Sequence, residues 1–181
     1  MKKFELTNEF ITNMFGTKLF RIRALVEFGD VEAGELGGYV EKESNLGHDD
    51  NAWVYDNAWV YGNARVYGDA QVSGDARVYG NARVYGNAWV YGNALVCSDE
   101  DYAYAHGFGS VNRTTTFFRL KEGGVGVRCG CFYGTLAQFR DKIRETHGET
   151  KKAQEYLMLA DLMELRFEED ENEVGNRKYV E

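Results

Sequence analysis

The sequence predicts a mainly β fold, a parallel β-helix carrying a small C-terminal α+β module, and three observations predict it. Asn51 to Ser98 is eight consecutive six-residue units without an insertion: NAWVYD, NAWVYG, NARVYG, DAQVSG, DARVYG, NARVYG, NAWVYG and NALVCS. Within each unit the x-Val-Tyr triplet alternates outward, inward, outward as a short strand does, and the following Gly-Asn or Gly-Asp tolerates left-handed backbone and makes a corner. From Thr135 onward the apolar spacing becomes helical. A period of six fits no helix, and a hairpin meander would leave successive Val without a closed interior, so the chain coils into a solenoid.

Taken in order, Lys18 to Leu25 (KLFRIRAL) reads as a strand, and the Gly-punctuated GDVEAGELGGYV leads into the coil. Residues 1–35 are the expected N-terminal cap. The repeat frame extends backward through Val40, Ser44 and Leu46, and two extra residues before Val54 imply an outward loop carrying Gly47, His48 and Asp49. Residues 36–104 then form a β-helix of about ten rungs. Burying eight Val at about 1.5–3 kcal/mol each is a modest gain for a thin core, so the open ends need covers. Residues 105–167 are expected to supply one. Thr114 to Leu120 and Val125 to Phe132 form a hairpin around KEGG. Thr135 to Thr146 forms a helix with Leu136, Phe139 and Ile143 on one face and Gly148 as its stop, and Thr150 caps a second helix running to about Phe167. Residues 168–181 read as a solvated acidic tail.

The hexads resemble the left-handed parallel β-helix pattern of an aliphatic residue, two turn residues, and a small residue four positions after the aliphatic one. That resemblance implies a left-handed triangular prism of hexapeptide repeats with three hexads per coil. Neighbours then stack 18 residues apart, about 4.8 Å up the axis. This sorts the outward side chains into three faces. Trp53, Tyr55, Gln71, Ser73, Trp89 and Tyr91 share the first. The second holds Trp59, Tyr61, Arg77, Tyr79, Leu95 and Cys97, and the third Arg65, Tyr67, Arg83 and Tyr85. Asn51, Asp69 and Asn87 stack along one corner, and Asn63 and Asn81 along another. Such aromatic ladders stabilise a sheet by cross-rung packing. Three Trp on two adjacent faces also make an apolar patch suited to a protein contact. The candidate binding residues are therefore Trp53, Tyr55, Trp59, Tyr61, Arg65, Tyr67, Arg83, Tyr85, Trp89 and Tyr91.

FRIRALVEFGDVEAGELGGYVEKESNL, the VYGNA hexads, and the distal TTTFFRL, CGCFYGTLAQF and ETHG blocks together resemble a family of small phage and prophage hexapeptide-repeat proteins with no defined activity. The resemblance covers nearly the whole chain, implies a bacterial or phage cytosol, and transfers no catalytic residue. Left-handed β-helices include trimeric acyltransferases with a His general base between subunits, so the fold resemblance offers His48, oriented by Asp49 or Asp50, as the base of an alternative enzyme reading. A carbonic-anhydrase type site would need three converging His, whereas His48, His106 and His147 lie in separate segments. No metal site is expected. Cys129 and Cys131 continue the alternation of Val125 and Val127 and read as a core face, and Cys97 as a packing substitution at a Tyr position. Gly107, Gly109, Ser110 and Arg113 form a small-residue loop suited to an anion, without the Gly-Lys-Ser ending of a phosphate-binding loop.

Composition narrows the function classes. The 181 residues carry 21 Lys and Arg against 29 Asp and Glu, a net charge of −8, and the pI is near 5.0. This argues against direct nucleic-acid binding, although Asn112 to His147 is locally net +4. Three Cys and no secretory apolar segment point to a reducing cytoplasm. No apolar run nears the roughly 20 residues of a membrane span. The expected protein is a non-catalytic phage-encoded scaffold without a cofactor, a dimer or trimer in the bacterial host cytoplasm. It is expected to engage a host protein or nucleoprotein complex as a counter-defence, anti-CRISPR-like inhibitor. The alternatives are the acyltransferase and a self-assembling structural element.

Overall fold

The structure, a computed structural model, describes residues 1–109 and 111–168. Apart from Glu168, the expected acidic tail lies outside the described residues. The chain is mainly β. It enters through three antiparallel neighbours, β1 (Phe4–Thr12), β2 (Lys18–Ala24) and β3 (Leu36–Val40). Eight two-residue strands follow: β4 (Trp53–Val54), β5 (Trp59–Val60), β6 (Arg65–Val66), β7 (Gln71–Val72), β8 (Arg77–Val78), β9 (Arg83–Val84), β10 (Trp89–Val90) and β11 (Leu95–Val96). Four longer strands come next, β12 (Tyr102–Phe108), β13 (Arg113–Arg119), β14 (Val125–Cys129) and β15 (Phe132–Thr135), then α1 (Leu136–His147) and α2 (Lys151–Phe167).

The eight short strands coil into a β-solenoid in which parallel partners among the eight are 18 residues apart. Trp53 pairs with Gln71 and Gln71 with Trp89; Trp59 pairs with Arg77 and Arg77 with Leu95; Arg65 pairs with Arg83. The first join, Tyr39 to Trp59, is 20 residues long because of the two-residue insertion after Leu46. Ala and Val of all eight units point inward and are at most 1% exposed. The chain turns each corner at a left-handed glycine, with φ between 64° and 74° from Gly62 to Gly92. A Cβ on Gly68 would sit 2.9 Å from the Gly86 nitrogen of the coil above, so a side chain there meets backbone as well as strain. In the first unit Asp56 takes this conformation at φ 53°, and its carboxylate accepts the Gly74 N–H at 3.0 Å.

The N-terminal strands extend one solenoid face. β3 pairs parallel with β5 and antiparallel with β2, giving a sheet ordered β1-β2-β3-β5-β8-β11. Gly37 and Gly38 permit this docking, since a Cβ on either would meet the Val54 or Ala58 carbonyl oxygen at 2.5–2.6 Å. The apolar side chains of this segment, Phe4, Ile22, Ala24 and Val31, join the coil in one buried cluster. The expected strand is present at 18–24. β1 is an additional finding, because FELTNEFIT bulges between Leu6 and Phe10 and its apolar residues do not alternate.

At the other end β12, β13, β14 and β15 form a four-stranded antiparallel sheet in chain order. The expected hairpin is its centre, with Arg119 opposite Val125. Alternation along β13 sends Phe118 into the cluster shared with the coil and Phe117 into a second cluster with Phe139, Ile143, Tyr156 and Met163 of the helices. The sheet thus separates coil from helices. Thr135 and Gln138 form a reciprocal cap on α1, and the Thr150 hydroxyl accepts the Ala153 N–H at 3.3 Å on α2. One expectation is corrected here. Cys131 is exposed and not part of a core face, because β14 ends at Cys129 and Gly130 turns the chain at φ 59°.

Candidate functional site

The two end segments cover the three outward ladders unequally. On the first face Trp53 is fully buried, edge-on to Phe28 at 5.4 Å and Phe4 at 6.2 Å. It is therefore core, not contact surface, because the N-terminal cap closes over it. The C-terminal sheet covers the upper rung. The Trp89 N–H donates to Thr116 Oγ1 at 2.9 Å, the Arg128 guanidinium lies 4.0 Å from the Trp89 ring centre, and Tyr91 packs against Tyr133 at 4.9 Å. Sequence reasoning did not anticipate Arg128 or Tyr133 here, and no local pattern announces them.

Between these covers the first face opens into a groove of about 310 Å³. Gln71 lies at its middle rung, with Tyr55 and Trp89 alongside. Asp69, Asn51 and Asn87 contribute from the corner, and Asp30 from the N-terminal segment. Asn51 Nδ2 donates to Asp69 Oδ1 at 2.9 Å, so these two stacked corner residues bond to each other through their side chains. Trp89 Nε1 donates to Ser73 Oγ at 2.8 Å, which orients the indole. The Tyr55 phenol is pushed up, first by burial and then by the nearby Glu35, Asp30 and Asp56 carboxylates. Asp30 carries no repeat signal. DAQVSG does, as the only internal unit with neither an aromatic residue nor arginine at its outward positions.

The second face satisfies itself. Arg77 lies 4.5 Å over the Trp59 ring, and Tyr61 stacks on Tyr79 at 5.2 Å. Burial drives the Tyr79 phenol far above its ordinary value, and the Cys97 thiol donates to Asp101 Oδ2 at 3.0 Å. The third face stays open. Arg65 and Arg83 are exposed, Tyr85 is 42% exposed, and Tyr67 stacks on Tyr85 at 5.4 Å. Arg83 is fixed by Asp99, which accepts its backbone N–H at 2.7 Å and its Nε–H at 2.8 Å. Tyr102 braces the ladder from the C-terminal side, edge-on to Tyr85 at 6.5 Å, with its hydroxyl donating to the Arg83 carbonyl at 2.7 Å.

The loop bearing His48 folds back instead of protruding. The imidazole stacks on Phe4 at 4.4 Å, and its Nδ1 accepts the Lys3 N–H at 3.2 Å. A neutral imidazole has one acceptor nitrogen, so this bond leaves the proton on Nε2. Burial is the largest influence on the ring and lowers its pKa. Asp50 is engaged with the Gly68 N–H at 3.1 Å. His106 bonds Thr114 and His147 stacks on Tyr156. Among the described residues no group of three or more His, Cys, Asp or Glu is placed to hold a metal ion.

The Gly107–Arg113 loop is only partly described, since Ser110 lies outside the described residues. Its Gly109 N–H donates to the chain's own Glu155 carboxylate at 3.1 Å, and Arg113 packs over Gly130. The basic residues of the following segment are partly committed to packing as well: Arg119 pairs with the buried Asp101 at 3.2 Å, Arg128 covers Trp89, and Arg140 bridges Asp161 and Glu164. No helix among the described residues is long and apolar enough to cross a membrane.

These features define a repeat β-solenoid with one open Arg/Tyr face and one acidic aromatic groove. Residues 58–74, 70–86 and 76–92 match the family model described as YdcK Beta solenoid repeat, so the middle of the coil is similar to that repeat. No curated protein matches the chain.

Proposed function

We propose that the protein is a non-catalytic binding scaffold that engages a protein partner through the third face of its coil. The observation carrying this reading is the ladder of exposed Arg65, Arg83 and Tyr85 with half-buried Tyr67, left open to solvent while both ends of the coil are sealed. Stacked Tyr and a carboxylate-fixed Arg are rigid, amphipathic contacts that lose little side-chain freedom on binding. We further propose a left-handed coil of hexapeptide repeats, a phage origin, and a bacterial host protein as the partner in the cytoplasm, with counter-defence inhibition as the role. These finer statements rest on the resemblance of the hexads and flanking blocks to phage hexapeptide-repeat proteins. The occupied Nδ1 of His48 favours the scaffold over the acyltransferase, whose base needs a free acceptor nitrogen.

The test is a pull-down of the tagged full-length protein from bacterial lysate, with and without nuclease, with the mass of the eluted assembly measured. Stoichiometric retention of a host protein after nuclease treatment, lost in Arg65→Glu with Tyr85→Ala, is the expected result. Recovery of a homotrimer alone, or retention unaffected by the double variant, overturns it.

A further inference from the structure

The ladder on the first face is interrupted at one rung, and the groove lies at the interruption. DAQVSG places Gln71 and Ser73 where neighbouring units place Trp or Arg and Tyr, and Asp69 where Asn51 and Asn87 stand in the same corner. A repeat that loses its bulky residues at one rung, while Trp89 and the N-terminal segment flank the gap, leaves a space of ligand size. We propose that this groove binds a guanidinium group, the arginine side chain of a polypeptide. The proposal is independent of the Arg/Tyr face.

The charges are one-sided. Asp30 and Asp69 bring two carboxylates to the groove, and among the described residues no basic side chain lines it, Arg128 standing against the Trp89 ring. Asn51 Nδ2 donates to Asp69 Oδ1, which restrains the carboxylate and leaves its second oxygen as an acceptor. Tyr55 and Trp89 line the groove, and aromatic rings attract a cation. The molecule already uses this attraction on the same indole, with Arg128 4.0 Å from the Trp89 ring centre and 4.9 Å from that of Tyr91. A planar guanidinium can stack on a ring while donating two parallel N–H bonds to a carboxylate, which a compact ammonium cannot do. After burial, Asp30 is among the carboxylates that raise the Tyr55 phenol, which places that negative charge beside the ring.

The experiment titrates the isotope-labelled full-length protein with the peptide acetyl-Gly-Arg-Gly-amide, with its citrulline counterpart, and with maltotriose, following the Trp89 indole N–H and the Asn51 and Asn87 side-chain amides. The arginine peptide is expected to shift these signals saturably, with a dissociation constant of about 1 mM. Citrulline keeps the shape and removes the charge, and is expected to bind at least about tenfold more weakly. Asp69→Asn should lose binding without unfolding, because Asn is the residue of that corner one coil above and one below. Asp30→Asn is a second variant outside the coil, with the same expected loss. Gln71→Arg restores a residue found at other rungs and is expected to occupy the groove itself. Equal binding of the arginine and citrulline peptides, saturation by maltotriose but not by the arginine peptide, or no saturable shift overturns the proposal. Maltotriose saturation alone would make the groove a saccharide site. Loss of host-protein retention by the Arg65/Tyr85 variant leaves this titration unchanged, so the two proposals fail separately.

Discussion

Lys3 is 3% exposed, and its ammonium donates to the Asp50 carbonyl at 2.7 Å and the Ala52 carbonyl at 2.8 Å. Burial brings its pKa down from 10.5 to about 8, against the opposing pull of Asp50, Asp49 and Asp69. Between those two values the unfolded chain keeps a proton that the folded chain has released, so unfolding free energy from this group rises with pH from about 8 and levels off near 10.5. Above pH of about 10 the buried Tyr79 and Tyr102 phenols act oppositely, because they ionise first in the unfolded chain. Urea unfolding of Lys3→Met against the parent from about pH 7 to 10 should show the rise only in the parent; parallel curves would contradict it. Trp53 makes a second test. Truncation to Ala is expected to cost about 3–5 kcal/mol, and Trp53→Phe markedly less, because it also deletes a buried indole N–H without an acceptor. Trp53 also shows where a single repeat misleads. Its hexad is the same as that of Trp59 over five residues, yet one indole is core and the other half-exposed, and the difference comes from Phe4 and Phe28, about 49 and 25 residues upstream.

Element by element, local signals were readable wherever they were self-contained. The Val/Ala period placed the coil, and Thr135, Gly148 and Thr150 bracketed both helices to within a residue or two. β12 and β15 escaped because YAYAHGF alternates small or polar with aromatic residues, FYGT is only four residues long with its two aromatics adjacent, and both acquire an inside only by pairing with β13 and β14. The groove was unreadable for a related reason: its floor is visible as a broken hexad, but Asp30 reaches it through the N-terminal fold. Docking of β3 on the first coil depends on missing side chains. Gly37→Ala forces a Cβ toward the Val54 carbonyl and Ile22, and is expected to lower the denaturation midpoint by about 1–3 kcal/mol equivalent, while an alanine at exposed Gly16 meets no neighbour and suffers only its left-handed backbone. Thr150→Ala removes the cap of α2 and should cost about 1 kcal/mol, read from the same midpoint.

Among the described residues there are two buried clusters, one running from Phe4 through the coil to Phe118 and one between the C-terminal sheet and the helices. Amides of α1 and α2 are therefore expected to exchange with solvent through an opening that leaves Val60, Val78 and Val84 protected; simultaneous loss of protection in both regions would show a single cooperative unit. The antiparallel β1–β2–β3 segment matters for a further reason. Near-identical coils add to one another by the same backbone bonds whether they belong to one chain or two, so nothing within the repeat tells the stack to stop. β3 is the last strand to pair parallel with the coil; β2 and β1 add to it antiparallel, so the edge of that face is a bulged nine-residue strand and not another two-residue rung. The particle's length is thus set by its non-repeating ends. A chain stripped of those ends would be a seed for a filament of indefinite length.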